Sequence, residues 1–208
     1  MKGVREMSYK LIIIGCSLGG LSATKTLLAG ISDDCVVPII LIQHREQKAE
    51  VSMDNVLANM MQRYTKRQIE EAEDKTPLRL NHIYLAPADY HLLIERDCVA
   101  LSADEPVTYA RPSIDVAFDS AARTYGSGVI GVVLTGASRD GADGAASIEN
   151  RGGLVIIQDP ATAEKNTLPN AAVAATKNAK VMQLEEIGPF ISNIVREGGA
   201  SRASRATS

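Results

Sequence analysis

Short unbroken apolar runs alternate along this chain with stretches whose apolar residues recur every three or four positions. YKLIIIG at residues 9–15 is the first run; it is bounded by a glycine and reads as a buried strand. LGGLSATKTLLAG follows, with Leu18, Leu21, Leu27 and Leu28 at roughly helical spacing. VVPIILIQH (36–44) predicts a second strand buried on both faces, and polar REQKAEVSMDN leads into a helix over VLANMMQRY. HIYLAP (82–87) and HLLIERDCVAL (91–101) read as two short strand segments, with a Pro-Ala-Asp turn between them. SIDVAFDSAARTYG (113–126) predicts a helix that Ser113 caps and Gly126 stops. GVIGVVLTG is a third buried strand ending in a glycine turn, DGADGAASIENRGG a helix after its first glycine, and LVIIQDP a fourth buried strand. LPNAAVAATKN, AKVMQL and EEIGPFISNIVREGG give helix, strand and helix.

Apolar strands alternating with helices predict an α/β fold: a doubly wound, mostly parallel sheet with helices on both faces, a three-layer sandwich. Residues 1–8 read as an N-terminal extension, 9–198 as one domain, and 199–208, almost without apolar content, as a disordered tail. In such sheets sites gather at the carboxyl ends of the strands. Three turns lie there: GCSLGG, HRE and GASRDGADG.

Composition narrows the function classes. The 208 residues include 45% hydrophobic and 23% charged side chains, the balance of a globular protein with one sizeable core. Trp is absent, so that core is aliphatic. A net charge of -3 argues against a protein built to neutralise nucleic-acid phosphates. Cys16, Cys35 and Cys98 are odd in number and widely spaced, without zinc spacing, and read as reduced thiols. No apolar run approaches the roughly 18 residues of a membrane span, and MKGVREMSYK lacks the apolar core of a secretory signal. The expectation is a cytoplasmic protein without membrane insertion or nucleic-acid partner.

Gly15-Cys16-Ser17-Leu18-Gly19 fits G-x-S-x-G between a predicted strand and a predicted helix. There a sharp turn lifts a serine hydroxyl above the sheet, and the helix N-terminus offers N–H groups to an oxyanion. A dinucleotide fingerprint needs G-x-G-x-x-G, which Cys16-Ser17 breaks, and no phosphate-binding G-x-x-x-x-G-K-[ST] occurs. The bland alternative is a glycine-rich turn with Ser17 as helix cap. Cys16 reads as packing, since the residue before an elbow serine faces away from the cleft.

A nucleophilic serine needs a base and an orienting acid. The chain has only His44, His82 and His91. His44 directly follows a buried strand and emerges on the candidate edge; His82 precedes a strand and lies at the opposite end, and His91 starts one. For the acid, Asp140 sits in the glycine turn after the third buried strand. Asp143 and Asp115 read as first-turn helix carboxylates and Asp159 as a loop residue before Pro160. The order Ser, His, Asp differs from the Ser, Asp/Glu, His of common α/β-hydrolases.

IGCSLGG, IQH, YLAPADYHL, RPSIDVAFDSAA, VVLTGASRDGADG and GGLVIIQDPATA stand in an order that resembles the chemotaxis protein-glutamate methylesterases, over residues 9 to 185. The resemblance implies hydrolysis of glutamate γ-methyl esters, and in many members deamidation of glutamines, on the cytoplasmic helices of methylated chemoreceptors. It implies Ser17 as nucleophile, His44 as general base and acid, and Asp140 as the acid orienting His44. It also implies the backbone N–H groups of Leu18, His44 and Ala137 as oxyanion donors, and no metal or organic cofactor.

The chain departs from the family pattern at Leu18, where Thr is common, and at Ala137, where Met is common. REQKAEVSMDN after His44 and the loop AEKNTLP also differ, which alters the rim that meets substrate. With the first strand at residue 9, the expectation is a chain without the receiver domain that, by the resemblance, many members carry ahead of the esterase. The expectation is constitutive activity or control by a separate response-regulator partner. Two other readings stand beside the hydrolase: a catalytically silent binding module of the same fold, and a nucleotide-binding domain that the broken fingerprint disfavours.

Overall fold

The computed structural model describes residues 9–44 and 56–203. The stretch REQKAEVSMDN and residues 1–8 and 204–208 lie outside them.

Seven parallel strands form the central sheet: β1 (Leu11–Cys16), β2 (Ile39–Gln43), β3 (Gln68–Glu71), β4 (His82–Leu85), β7 (Val129–Val133), β8 (Leu154–Gln158) and β9 (Lys180–Met182), in the order β3-β4-β2-β1-β7-β8-β9. From β1 the chain winds first toward β2, β4 and β3, then returns to the other side of β1 and continues through β7, β8 and β9. The direction of winding therefore reverses beside β1, where open α/β sheets leave a crevice at the carboxyl ends of the strands.

Alternation along the strands feeds two apolar cores. On one face Ile12, Ile14 and Cys16 of β1 pack with Leu27 and Leu28 of α1 (Gly20–Gly30), Met61 of α2 (Val56–Met61) and Ile187 and Ile191 of α6 (Leu184–Ala203). On the other, Leu11 and Ile13 meet Ile114 and Phe118 of α3 (Ile114–Tyr125), Ala145 and Ile148 of α4 (Ala142–Asn150) and Leu168 and Ala172 of α5 (Thr167–Ala175). The fold is thus the doubly wound, three-layer α/β sandwich that the apolar runs predict. Each fully buried Ile or Leu in these layers contributes roughly 1.5–3 kcal/mol.

Three details differ from the sequence reading. HLLIERDCVAL is not one strand but a hairpin, β5 (His91–Glu95) and β6 (Cys98–Ser102), paired antiparallel in a sheet of its own. The polar Arg96-Asp97 pair makes the turn, with Asp97 at φ 64°, which aspartate tolerates better than most residues. QIEE forms β3 at the sheet edge, too short and too polar to stand out as a strand. The last helix runs to Ala203, beyond the boundary drawn at 199.

Gly15 sits where β1 passes closest to the start of α3. A Cβ there would stand 2.4 Å from Ile114 Cγ2. Gly15→Ala is expected to destabilise the fold by about 1–3 kcal/mol, as overpacking does. A denaturant midpoint equal to that of the unsubstituted protein would show instead that α3 yields freely.

Candidate active site

The first turn is built to hold a serine at the crevice. Gly19 takes φ 80° as the N-cap of α1, and a Cβ there would collide with Glu164. At Gly20 a Cβ would stand 2.7 Å from Cys16 Sγ. The Ser17 N–H donates to the Thr135 carbonyl (3.0 Å), and the Thr135 hydroxyl donates to the Leu18 carbonyl (3.0 Å). These bonds tie the turn after β1 to the segment after β7, across the reversal point. Gln43 closes the third side: its Nε2 donates to the Ser17 carbonyl (2.8 Å) and the His44 carbonyl (3.2 Å), and its Oε1 accepts from Cys16 Sγ (3.0 Å). Burial pushes the Cys16 thiol up to about 12, so it is an inert packing group.

His44 leaves the end of β2 and meets the acid. Its Nε2 lies 2.7 Å from Asp140 Oδ2, with the His44 side chain 13% exposed and Asp140 fully buried. Asp140 accepts three further bonds: from Ser113 Oγ at Oδ1 (2.7 Å), from the Ile114 N–H at Oδ2 (2.7 Å) and from the Asp115 N–H at Oδ1 (3.2 Å). Two of these donors are orphan N–H groups at the start of α3, where a carboxylate is favoured. Burial by itself would raise the Asp140 carboxyl; the bonds from His44, Ser113 and Ile114 outweigh it and hold it below the usual carboxylate value. Asp140 therefore remains an anion where His44 needs one.

Asp115 returns the arrangement. Its Oδ1 accepts from the N–H groups of Gly141 (2.8 Å) and Gly144 (2.7 Å), capping α4 while Asp140 caps α3. Burial, reinforced by the charge of Asp140, pushes Asp115 up to about 6, against the N–H groups that favour its ionised form. The folded protein keeps this proton at pH values where the unfolded chain, at the ordinary 3.8, has released it. This contribution to stability is full below the unfolded value and is lost as pH rises through about 6. Asp115→Asn keeps an oxygen for both N–H groups and removes the charge. Relative to the unsubstituted protein, the variant is expected to gain on the order of 1 kcal/mol between pH 4 and pH 7. Urea titrations at the two pH values check this, and a pH-independent difference would refute it.

The other acids and histidines fall elsewhere. Asp143 is exposed in the first turn of α4, 3.8 Å from Arg139, and Asp159 caps its own loop by accepting from the Ala161 N–H. His82 stacks on Tyr84 at the start of β4, its ring nitrogen 3.0 Å from the Leu80 carbonyl. His91 is buried; its Nδ1 accepts from the Ser113 N–H (3.2 Å), and its Nε2 lies 3.1 Å from the Glu105 carbonyl.

Of the three expected oxyanion donors, His44 needs correction. Its N–H is spent on the Cys16 carbonyl (3.0 Å), because the parallel β1–β2 ladder continues one step past the Cys16–Gln43 pair. The N–H groups of Leu18 and Ala137 meet no acceptor among the described residues. Both residues line an open cleft of about 1070 Å³ together with Ser17, His44, Tyr109 and Arg111.

Sequence reasoning singled out Ser17, His44 and Asp140, but not the groups that hold them. Gln43 and Thr135 were visible only as the polar ends of apolar strands. Ser113 was legible as a helix cap, yet nothing in its spacing showed that the same hydroxyl reaches a carboxylate 27 residues away.

The sequence profile of the CheB methylesterase family matches residues 12–191. A Leptospira interrogans protein provisionally named protein-glutamate methylesterase/protein-glutamine glutaminase is 40% identical over 182 residues, 87% of this chain and 92% of that one. Protein-glutamate methylesterase/protein-glutamine glutaminase 2 of Caulobacter vibrioides is 35% identical over 190 residues; the match covers 89% of this chain and 54% of the relative. The crystal structure of the Thermotoga maritima CheB methylesterase catalytic domain superposes with a TM-score of 0.82 at 27% identity, covering 91% of this chain and all of that one. Among the described residues no helix is long and apolar enough to cross a membrane.

Proposed function

Because the chain belongs to the CheB methylesterase family, we propose that it hydrolyses glutamate γ-methyl esters, and deamidates glutamines, on the cytoplasmic helices of methylated chemoreceptors. The observation that carries this reading is the 2.7 Å bond from a buried, multiply hydrogen-bonded Asp140 to a histidine in the same cleft as Ser17.

With His44 Nε2 turned to Asp140, Nδ1 is the nitrogen left for the serine. His44 Nδ1 takes the Ser17 proton as Oγ attacks the ester carbonyl. The negative charge that develops on the carbonyl oxygen falls to the N–H groups of Leu18 and Ala137. Collapse of this intermediate gives the proton on His44 to the departing methoxide, and methanol leaves. Water, deprotonated by His44, then releases the glutamate carboxylate and restores Ser17. A glutamine side chain follows the same course with ammonia as the leaving group. Asp140 stays ionised throughout and stabilises the imidazolium.

Methanol release from methylated chemoreceptor membranes tests the reading, with labelling of Ser17 by a fluorophosphonate in parallel. Release together with labelling supports it. Labelling without release means a serine hydrolase with a different substrate or one that needs a separate response-regulator partner; adding a phosphorylated partner separates those two. Neither release nor labelling means a binding module of the same fold.

A further inference from the structure

The segment from 103 to 112, between β6 and α3, carries a feature that the triad does not use. Its base is anchored. The Arg111 Nη1 donates to the carbonyls of Ala103 (3.0 Å) and Asp104 (3.1 Å), and the His91 ring holds the Glu105 carbonyl. Its tip is a two-residue turn, closed by Val107 and Ala110, which exchange N–H and carbonyl bonds of 3.1 and 2.9 Å. The turn residues are Thr108 at φ 49° and Tyr109 at φ 62°. Such turns favour Asn-Gly, and each side chain held at positive φ costs about 1–3 kcal/mol. Among the described residues the Tyr109 side chain recovers none of this, being fully exposed at 103%. It lines the cleft that holds Ser17 and His44, and Leu18, 53% exposed, lines it too.

A glutamyl ester carbonyl stands three C–C bonds from its own Cα, a reach of about 4 Å. For that carbonyl to meet Ser17, the backbone that bears it must descend to the rim of the cleft. The groups on the rim then touch the surface of the substrate protein around the ester. A tyrosine suits that contact, since it supplies a large, amphipathic area at the cost of few rotatable bonds.

We propose that Tyr109, presented on an anchored and strained turn, is a specificity-determining residue that packs against the helical surface of the protein substrate beside the ester. This rests on the reading of the chain as a protein-glutamate methylesterase. It explains why a side chain left fully exposed by the described residues occupies a turn that disfavours it. It also assigns the choice of protein over small ester to the rim, leaving bond cleavage to the triad.

The test compares kcat/KM on methylated chemoreceptor with kcat/KM on a small acetate ester, for the unsubstituted protein, Tyr109→Ala and Tyr109→Phe. The ratio of receptor to small ester is expected to fall about tenfold in Tyr109→Ala, through KM on the receptor, and to stay high in Tyr109→Phe. A second variant joins Thr108→Asn to Tyr109→Gly, which relieves the turn. It is expected to melt at a higher temperature and still lose the ratio, which separates the contact from any loss of folding. An unchanged ratio in Tyr109→Ala, or in the relieved turn, overturns the proposal. Failure of the underlying reading looks different: the unsubstituted protein then cleaves the small ester and releases no methanol from the receptor, and the proposal falls with it.

Discussion

Ser17→Ala is expected to lower methanol release from methylated receptor by about 10⁴- to 10⁶-fold, the range for loss of a triad nucleophile. Among the described residues no neighbour is placed to take over. Cys16 lies on the opposite side of β1, packed against α1, and burial pushes its thiol up to about 12. Ser22 and Thr24 belong to the helix that follows the turn, not to its apex. The substitution leaves the turn itself in place, because its geometry is held through the backbone: the Ser17 N–H on Thr135, the Ser17 carbonyl on Gln43 and Gly20. Melting temperature should therefore stay close to that of the unsubstituted protein, and fluorophosphonate labelling should vanish. Release at more than about a hundredth of the unsubstituted rate, from a folded variant, would remove Ser17 from the mechanism.

What could be read from the sequence follows from which information is local. Unbroken apolar runs such as LIIIGC and VIGVV need no partner to be recognised as buried strands, and a parallel sheet then places Ser17 and His44 at one edge. The hairpin at 91–102 is marked in the sequence by two polar residues alone: across Arg96-Asp97 the inward positions switch from even (Leu92, Ile94) to odd (Val99, Leu101), as a two-residue turn requires. The support of Asp140 escaped for a different reason. Ile114 and Ser113 are helix-start residues in any reading, but the partner for their donors comes from the turn after β7, which only the packing of α3 against α4 brings near. The same limit explains the correction at His44. Its N–H looks available as the last residue of a strand, and only the register of β1 against β2 shows that the Cys16 carbonyl already holds it.

The acid position therefore carries more than orientation of the histidine, and Asp140→Asn is expected to reveal both roles. The carboxylate faces only donors on its Oδ2 side, His44 and the Ile114 N–H, and on its Oδ1 side the Ser113 hydroxyl and the Asp115 N–H. An amide has one acceptor oxygen and one NH₂ group. Turned either way, its NH₂ faces a backbone N–H: that of Ile114 on one side, that of Asp115 on the other. The less costly orientation keeps the oxygen on Ile114 and His44 and lets the Ser113 hydroxyl rotate to accept. Even then the negative charge that stabilises the His44 imidazolium is gone. Turnover is expected to fall by about 10³- to 10⁴-fold with little change in KM. Stability is expected to fall by about 1–3 kcal/mol, for the N–H left without an acceptor at the start of α3. Asp143→Asn is the control, since that carboxylate is exposed and 3.8 Å from Arg139; it should leave both quantities nearly unchanged. Methanol release and urea titration on the two variants give the answer together. Loss of stability without loss of turnover would make Asp140 a cap for α3 and nothing more, and would send the search for the acid back to the cleft. Loss of turnover without loss of stability would show that α3 does not depend on the carboxylate it encloses.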